Sequence, residues 1–289
     1  MHHFLPHVPW YKYKKVWKLG NGIFTKQQIP ERSVVAKPDF DFKDRLIGRK
    51  KSEVLEIKVR VREVLDVAKG IKSFHFEASD SDDSLPPFTA GSHINIKLPS
   101  GKIRSYSLVN SQHEQGQYQI AVKKEESGKG GSIEMHEGVM EGMELSVSFP
   151  KNNFVLYENV KRYILISGGI GITPLLSMAH RLDELDKHFE FHICSKSEDD
   201  IPFRYELKNW SFAPNIEIHL DKDDKSSIEL FKVLSDPNDE TLIYCCGPSG
   251  FNKWVKSMAK ELEWNTSQIK QELFTSEAIE VSELKPFEV

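Results

Sequence analysis

An antiparallel β-barrel followed by a doubly wound parallel α/β domain is the fold class this sequence predicts, and three observations predict it. Apolar residues alternate with a period of two through residues 51–155, as half-buried strands require. After Asn152-Asn153 the pattern changes to short continuous apolar runs separated by helix-spaced ones, as strands covered on both faces require. Two of those later runs end in glycine-containing turns, Gly168-Gly169-Ile170-Gly171 and Cys246-Gly247-Pro248, at the strand ends where open α/β sheets place ligands.

The first domain is expected over residues 51–155. Val54–Val64, Phe74/Phe76, Ile94/Ile96/Leu98, Ile120/Val122 and Leu145/Val147/Phe149 read as its strands. Pro86-Pro87, Pro99-Ser100-Gly101 and Gln115-Gly116 punctuate them. A short helix over Ile133–Met140 follows Ser132. The second domain is expected over residues 156–276, with a buried strand at Tyr163–Ile166. A helix carries Leu175, Met178, Leu182 and Leu185, with Thr173 as N-cap and Pro174 at its first position. Strands at Phe189–Cys194, Ile216–Leu220, Leu242–Cys246 and Ile269–Phe274 come next, with a second amphipathic helix through Phe251, Trp254, Val255 and Leu262. Residues 1–50 form an N-terminal extension, and residues 277–289 a linker or the start of a further domain.

Composition narrows the function classes. The chain has 289 residues, enough for two cored domains, with 39% hydrophobic and 28% charged residues. No apolar run approaches the roughly 18 residues that span a bilayer, and the interrupted N-terminus does not look like a signal peptide. Cys194, Cys245 and Cys246 are the three cysteines; they cannot build a disulfide framework, which fits a reducing cytoplasm. Nor do they provide a four-thiolate iron–sulfur site within these residues. A net charge of −4 does not favour nucleic acid. Residues 1–50 hold eleven Lys/Arg against four Asp/Glu, a net +7 that leaves −11 on the remainder. With Trp10, Tyr11, Tyr13 and Trp17, this leader suits docking to an acidic partner, although a solvated extension has the same composition.

Four short motifs carry the chemistry. Gly168, Gly169 and Gly171, between a strand and a helix, let backbone amides approach a pyrophosphate beside a helix N-terminus; a merely tight turn needs the same glycines. Cys246-Gly247-Pro248 closes another parallel strand, with Cys245 alternating into the core. On a barrel strand, Arg104 suits a phosphate, and Tyr106 shares its face to cover a flavin or its ribityl chain, although an ordinary exposed polar strand has the same pattern. Ser107 follows where a hydroxyl or amide can reach the ring. Gly128-Lys129-Gly130-Gly131-Ser132 offers amides, a lysine and a hydroxyl at a helix start, which serve a phosphate or a flexible polar loop alike.

Taken in order along the chain, these motifs resemble the ferredoxin–NADP reductase superfamily, and within it the phthalate dioxygenase reductase branch. The likeness runs from about Val54 to Phe274. Tyr118–Lys123, Met135-His136, Phe149–Phe154 and Glu272-Leu273-Phe274 add to it. The resemblance implies a flavin barrel, a nicotinamide-nucleotide domain and, usually, an appended plant-type [2Fe–2S] domain. It implies the reductase component of a Rieske-type or related multicomponent monooxygenase or demethylase.

By position, Arg104, Ser105, Tyr106 and Ser107 would hold the flavin, and Ala121, Val122 and Lys123 would line its ring through their backbone. Lys129, Gly130, Gly131 and Ser132 would hold its phosphate. Gly169, Ile170, Gly171, Thr173 and Pro174, with Cys246, Gly247 and Pro248, would bracket the nicotinamide nucleotide. Phe274 would cover the ring until nicotinamide displaces it. Ser107, Cys246 and Phe274 are thus the residues expected at the reaction, and no metal site is expected. Where the family often has arginine after the second α/β strand, Lys196 stands instead. FMN is expected over FAD and NADH over NADPH. A [2Fe–2S] cluster is expected only in a C-terminal domain beyond these residues, since Glu283–Val289 resembles the linker and first strand of one. The electron acceptor would be an oxygenase component or a ferredoxin, with the leader docking a partner. Two alternatives are a freestanding FAD-dependent ferredoxin reductase or diaphorase, and a non-catalytic scaffold. Intact Arg104, Ser107 and the three turn glycines argue against the scaffold.

Overall fold

In the computed structural model, residues 56–80, 84–114, 116–220 and 230–274 are described. The expected leader and the 277–289 segment lie outside them. The first sheet contains β1 (Glu56–Ala68), β2 (Ile71–Ala78), β3 (Ser92–Lys97), β4 (Ile103–Ser107), β5 (Gln117–Lys123), β6 (Glu144–Ser148) and the two-residue β7 (Lys151–Asn152). Its strands run antiparallel in the order β4-β3-β6-β1-β2-β5, with β7 beside β3. The period of two does what it predicts: Val59/Val61, Phe74/Phe76, Ile94/Ile96, Tyr118/Ile120/Val122 and Leu145/Val147 all turn into one apolar interior. Helix α1 (Gly131–Gly138) closes that interior with Met135, which has no exposed surface.

The sheet's two edge strands, β4 and β5, meet at a single antiparallel bridge, Leu108 with Ile120. Continuing that register sets Ser107 opposite Ala121 and Tyr106 opposite Val122, yet no ladder joins these residues. The barrel is therefore left with a slot between two strand edges. Backbone groups on both sides of such a slot need partners from water or a ligand.

The second sheet is parallel, in the order β10-β9-β8-β11-β12. Its strands are β8 (Arg162–Gly168), β9 (His188–Ser195), β10 (Ile216–Leu220), β11 (Thr241–Gly247) and β12 (Ile269–Leu273). Helix α2 (Ile172–Glu184) covers one face and α3 (Ser249–Glu261) the other. Tyr163, Ile164, Leu165 and Ile166 have no exposed surface; Tyr163 and Leu165 enter the α2-side core, Ile164 and Ile166 the α3-side core. The strand order reverses direction between β8 and β11, the switch point at which such sheets open a ligand crevice.

Three local expectations are corrected. Helix α1 begins at Gly131 and ends at Gly138, two residues ahead of the expected span, because Gly130 in the left-handed region lets the chain turn into the helix early. Thr173 is no N-cap: Gly169–Gly171 already coils as a 3-10 turn, so α2 starts at Ile172 with Gly171 as its cap. Thr173 Oγ1 instead donates to the Ile170 carbonyl at 3.1 Å, and Pro174 sits at the third helical position.

The two sheets share a core. Val67, Ile71, Ala90, Val109 and Ala121 of the first pack with Leu175, Met178 and Phe191 of the second. Polar contacts reinforce the junction: the Ser111 hydroxyl donates to Glu184, and His113 meets both Glu184 and Arg181. That packing fixes how the barrel slot faces the switch point.

Candidate functional site

Arg104 and Tyr106 share a face of β4, whereas Ser105 turns outward and donates to Asn95 Oδ1 at 2.6 Å. Tyr106 is half-buried against the barrel core, and burial pushes its phenol up to about 12. Arg104 lies across the N-terminus of α1 so closely that a Cβ at Gly131 would stand 2.4 Å from its Nε. Only glycine permits this approach. The guanidinium donates to the Ile103 carbonyl at 2.8 Å, and it forms no salt bridge among the described residues. Lys102 Nζ reaches the same corner, 3.5 Å from where a Gly130 side chain would begin. No side chain caps α1. Arg104, Lys102 (itself 3.9 Å from Glu134 in the first turn of α1) and the helix-terminal amides thus converge at a corner suited to an anion. Lys129 stands exposed beside them, while Ser132 Oγ accepts from the Glu125 amide at 3.0 Å.

Along the slot, Ala121 and Val122 are buried and Lys123 points outward, paired with Glu125 at 3.1 Å. One backbone group there is already taken, since His136 Nε2 lies 2.7 Å from the Val122 carbonyl.

At the switch point, Gly171 and Cys246 are in near contact: a Cβ on Gly171 would fall 2.1 Å from the Cys246 carbonyl oxygen. Gly169, with φ of +55°, faces open space. No side chain caps α2; the Ile172 amide already donates back into the 3-10 turn and Pro174 has no N–H, so a pyrophosphate here would be met by the turn's own backbone and the remaining first-turn amides. The Phe251 ring packs over Gly168 and Gly247, either of which would clash with it if given a side chain. Pro248 is exposed, and Lys196 stands exposed after β9, ahead of the acidic turn Glu198–Asp200.

Between slot and crevice lies a polar cluster that local sequence patterns do not reveal. Ser107, 5% exposed, donates across the junction to Glu272 Oε2 at 3.3 Å. Glu272 is in turn the register partner of Cys246 in the β11–β12 ladder. Its backbone is fixed by Asn252, whose side-chain amide donates to the Glu272 carbonyl at 2.8 Å. Burial raises the Glu272 carboxyl to about 7, with the Ser107 hydrogen bond pulling the other way. Burial, reinforced by Glu272, also pushes the Cys246 thiol well above its ordinary range. Cys246 is therefore a thiol and not a thiolate nucleophile. Phe274 follows β12 and is 46% exposed. Ser107, Cys246 and Glu272 are brought together; Lys196 remains in its own loop.

Residues 58–156 match the family described as "Oxidoreductase FAD-binding domain", and residues 165–257 match "Oxidoreductase NAD-binding domain". The vanillate O-demethylase oxidoreductase of Pseudomonas putida is 36% identical over 215 residues, covering 74% of this chain and 67% of the relative. The phthalate 4,5-dioxygenase oxygenase reductase subunit of Pseudomonas putida is 37% identical over 227 residues, covering 78% and 69%. Among solved structures, phthalate dioxygenase reductase superposes with a TM-score of 0.71 at 32% identity, over 76% of this chain and 68% of that one. The chain thus spans about two thirds of the length of these relatives. With a barrel, a parallel sheet and a shared polar junction in the same order, the chain belongs to the phthalate dioxygenase reductase-like branch of the ferredoxin–NADP reductase superfamily, the flavin- and nicotinamide-dependent oxidoreductases.

Proposed function

We propose that this protein oxidises NADH and delivers the electrons, by way of FMN held at the barrel slot, to an iron–sulfur centre of an oxygenase system. The Ser107–Glu272 contact carries this reading, because it joins the end of the phosphate-binding strand to the strand beside Cys246. A bound flavin supplies the conversion of a two-electron hydride donor into single-electron delivery. The chain's own residues bind, orient and tune.

Arg104, Lys102 and the α1 N-terminus hold a terminal phosphate, with Lys129–Ser132 completing the cradle. This cradle supports FMN, whose chain ends at that group. Ser105, Tyr106 and Ser107 line one side of the slot, and Ala121, Val122 and Lys123 the other. Gly169–Pro174 receives the dinucleotide's pyrophosphate, and Cys246–Pro248 flanks its nicotinamide. An ionised Glu272 favours the cationic nicotinamide that remains once hydride has left. NADH is preferred because Lys196 is followed by Glu198, Asp199 and Asp200, whose charges repel a 2′-phosphate and accept hydrogen bonds from a 2′-hydroxyl. Denatured protein is expected to release FMN, identified by chromatography. Release of FAD alone would overturn the FMN assignment, and a colourless protein inert to NADH would overturn the oxidoreductase reading.

The relatives' names place them in demethylase and dioxygenase systems, which supports an oxygenase component or ferredoxin as acceptor. The [2Fe–2S] centre would lie in that partner or in a further domain. Among the described residues no helix is long and apolar enough to cross a membrane; with none of the three cysteines in a disulfide, a cytoplasmic site of action is proposed. The basic, aromatic leader is proposed to dock the partner. Deleting residues 1–50 should preserve NADH-driven reduction of ferricyanide yet weaken transfer to the oxygenase. Salt should imitate part of the loss, since exposed attraction is screened beyond about 8 Å at physiological ionic strength. Full oxygenase turnover by the truncated protein would sink the docking proposal.

Phe274→Ala is expected to strengthen the charge-transfer absorbance on NADH addition and tighten nucleotide binding, because its ring no longer competes for the stacking position. Unchanged affinity, rate and spectrum would confine Phe274 to packing.

A further inference from the structure

The face of the parallel sheet opposite α2 carries a polar cluster at its outer edge that the electron-transfer reading does not use. His192 of β9 and His219 of β10 are each 2% exposed, and His192 Nδ1 lies 3.0 Å from His219 Nε2. Glu217 is the register partner of His192, and its Oε2 lies 3.5 Å from the same Nδ1. The period of two explains the gathering: Glu217 and His219 share a face of β10, and pairing in register sets His192 beside them. Burying two imidazoles next to a carboxylate is costly unless each polar atom has a partner.

We propose that His192, Glu217 and His219 form a Zn2+ site that clips edge strand β10 to β9. Tetrahedral Zn2+, with bonds of about 2.0–2.1 Å, holds neighbouring donor atoms roughly 3.3 Å apart. The observed 3.0 and 3.5 Å separations straddle that value, and all three donors fall within 4.8 Å of one another. Two imidazoles and one carboxylate suit zinc, whereas Mg2+ and Ca2+ take oxygen ligands.

A second, independent observation points the same way. The far nitrogen of His192, Nε2, is buried without a hydrogen-bond partner, and Glu190 Oε2 lies 3.6 Å from it. Glu190 is itself held by Arg162 through bonds of 2.9 and 2.6 Å. A carboxylate behind a ligating imidazole is the arrangement that orients it and strengthens it as a donor. Zn2+ on His192 Nδ1 would draw Nε2–H toward Glu190 and so satisfy the unpartnered atom. Coordination displaces the proton now bridging the two histidines, either to the other nitrogen of His219 or to solvent. Glu217, 56% exposed, leaves the ion a path in and a fourth position for water. Among the described residues β10 is paired only with β9, so a bond across this ladder has a clear structural use.

The test uses the full chain with its flavin, stripped by chelator and titrated with Zn2+ against a chromophoric chelator. The leader contains His2, His3 and His7, so the readout is the equivalent lost by a variant, not the total bound. Glu217→Gln and His219→Gln are each expected to weaken one equivalent more than about 100-fold, and Glu190→Gln by about 10–100-fold. Zn2+ should raise the Tm of the wild type but not of Glu217→Gln, and Mg2+ should not compete. Should His219→Gln fail to fold, the exposed Glu217→Gln still decides. Unaltered stoichiometry and affinity in Glu217→Gln, or an equal Tm rise in it and the wild type, would overturn the proposal.

Discussion

Arg104→Ala is expected to empty the flavin site while the barrel stays folded. A guanidinium–phosphate pair is charge-assisted and bidentate, so its loss costs about 1.5–3 kcal/mol, tenfold to over a hundredfold in affinity. The fold has little stake in the side chain, which is partly exposed and, among the described residues, hydrogen-bonded only to its neighbour's carbonyl. Flavin absorbance at limiting FMN reads the first effect, and the apoprotein's Tm reads the second. Lysine at this position should restore part of the affinity, since it keeps charge but lacks the planar fork. Wild-type occupancy in Arg104→Ala would remove the residue from the site.

Gly131→Ala probes the same corner from the helix side. Its Cβ would stand 2.4 Å from Arg104 Nε, so the guanidinium must swing away. If both substitutions act through that one placement, the double variant should bind flavin no worse than Arg104→Ala alone, because effects within one interaction are not additive. Fully additive losses would show that Gly131 acts through the α1 amides instead.

What the sequence makes legible here is whatever depends on neighbours along the chain. The alternation of Phe74/Phe76 and Ile94/Ile96 is written in adjacent residues and reappears as the barrel interior. The uninterrupted Tyr163–Ile166 run likewise reappears as a strand covered on both faces. The glycine turn and Cys246-Gly247-Pro248 end neighbouring strands because alternating strands and helices predict such a sheet. Helix starts were less legible: Thr173 has a capping side chain, but three residues of 3-10 turn ahead of it move the boundary. Lys102 offered a usable signal, two residues before Arg104 on the same face. Glu272 enters only through the Glu272-Leu273-Phe274 resemblance, and nothing beside it in the sequence marks its role, because that role comes from register with Cys246 and from a hydroxyl 165 positions away in sequence. The His192–Glu217–His219 cluster is of the same kind, assembled by pairing between strands rather than by spacing within one.

Glu272→Gln is expected to change both the pH dependence of stability and the rate of hydride transfer, and the two arms test different claims. Burial raises this carboxyl from its ordinary 4.5 to about 7. Between those values the folded protein keeps a proton that the unfolded chain has lost. Its contribution to stability is therefore fully present below pH 4.5 and is lost as pH rises toward about 7, by about 3 kcal/mol in all. Glutamine cannot ionise, so the variant should gain on the wild type steadily across that window and hold the advantage above it. Denaturant unfolding at several pH values measures this without any ligand. Parallel curves would mean that the carboxyl is not confined in the cluster. The kinetic arm has the opposite sense: the charge that weakens the fold above pH 7 is the charge that favours a cationic nicotinamide. Anaerobic flavin reduction by NADH should accelerate as pH rises through about 7 in the wild type. In Glu272→Gln it should be slower above that pH, by roughly tenfold to a hundredfold, with a flattened profile. A variant that flattens the stability curve but reduces flavin at the wild-type rate would leave Glu272 as a positioning partner for Ser107, with the carboxylate charge playing no part in the transfer.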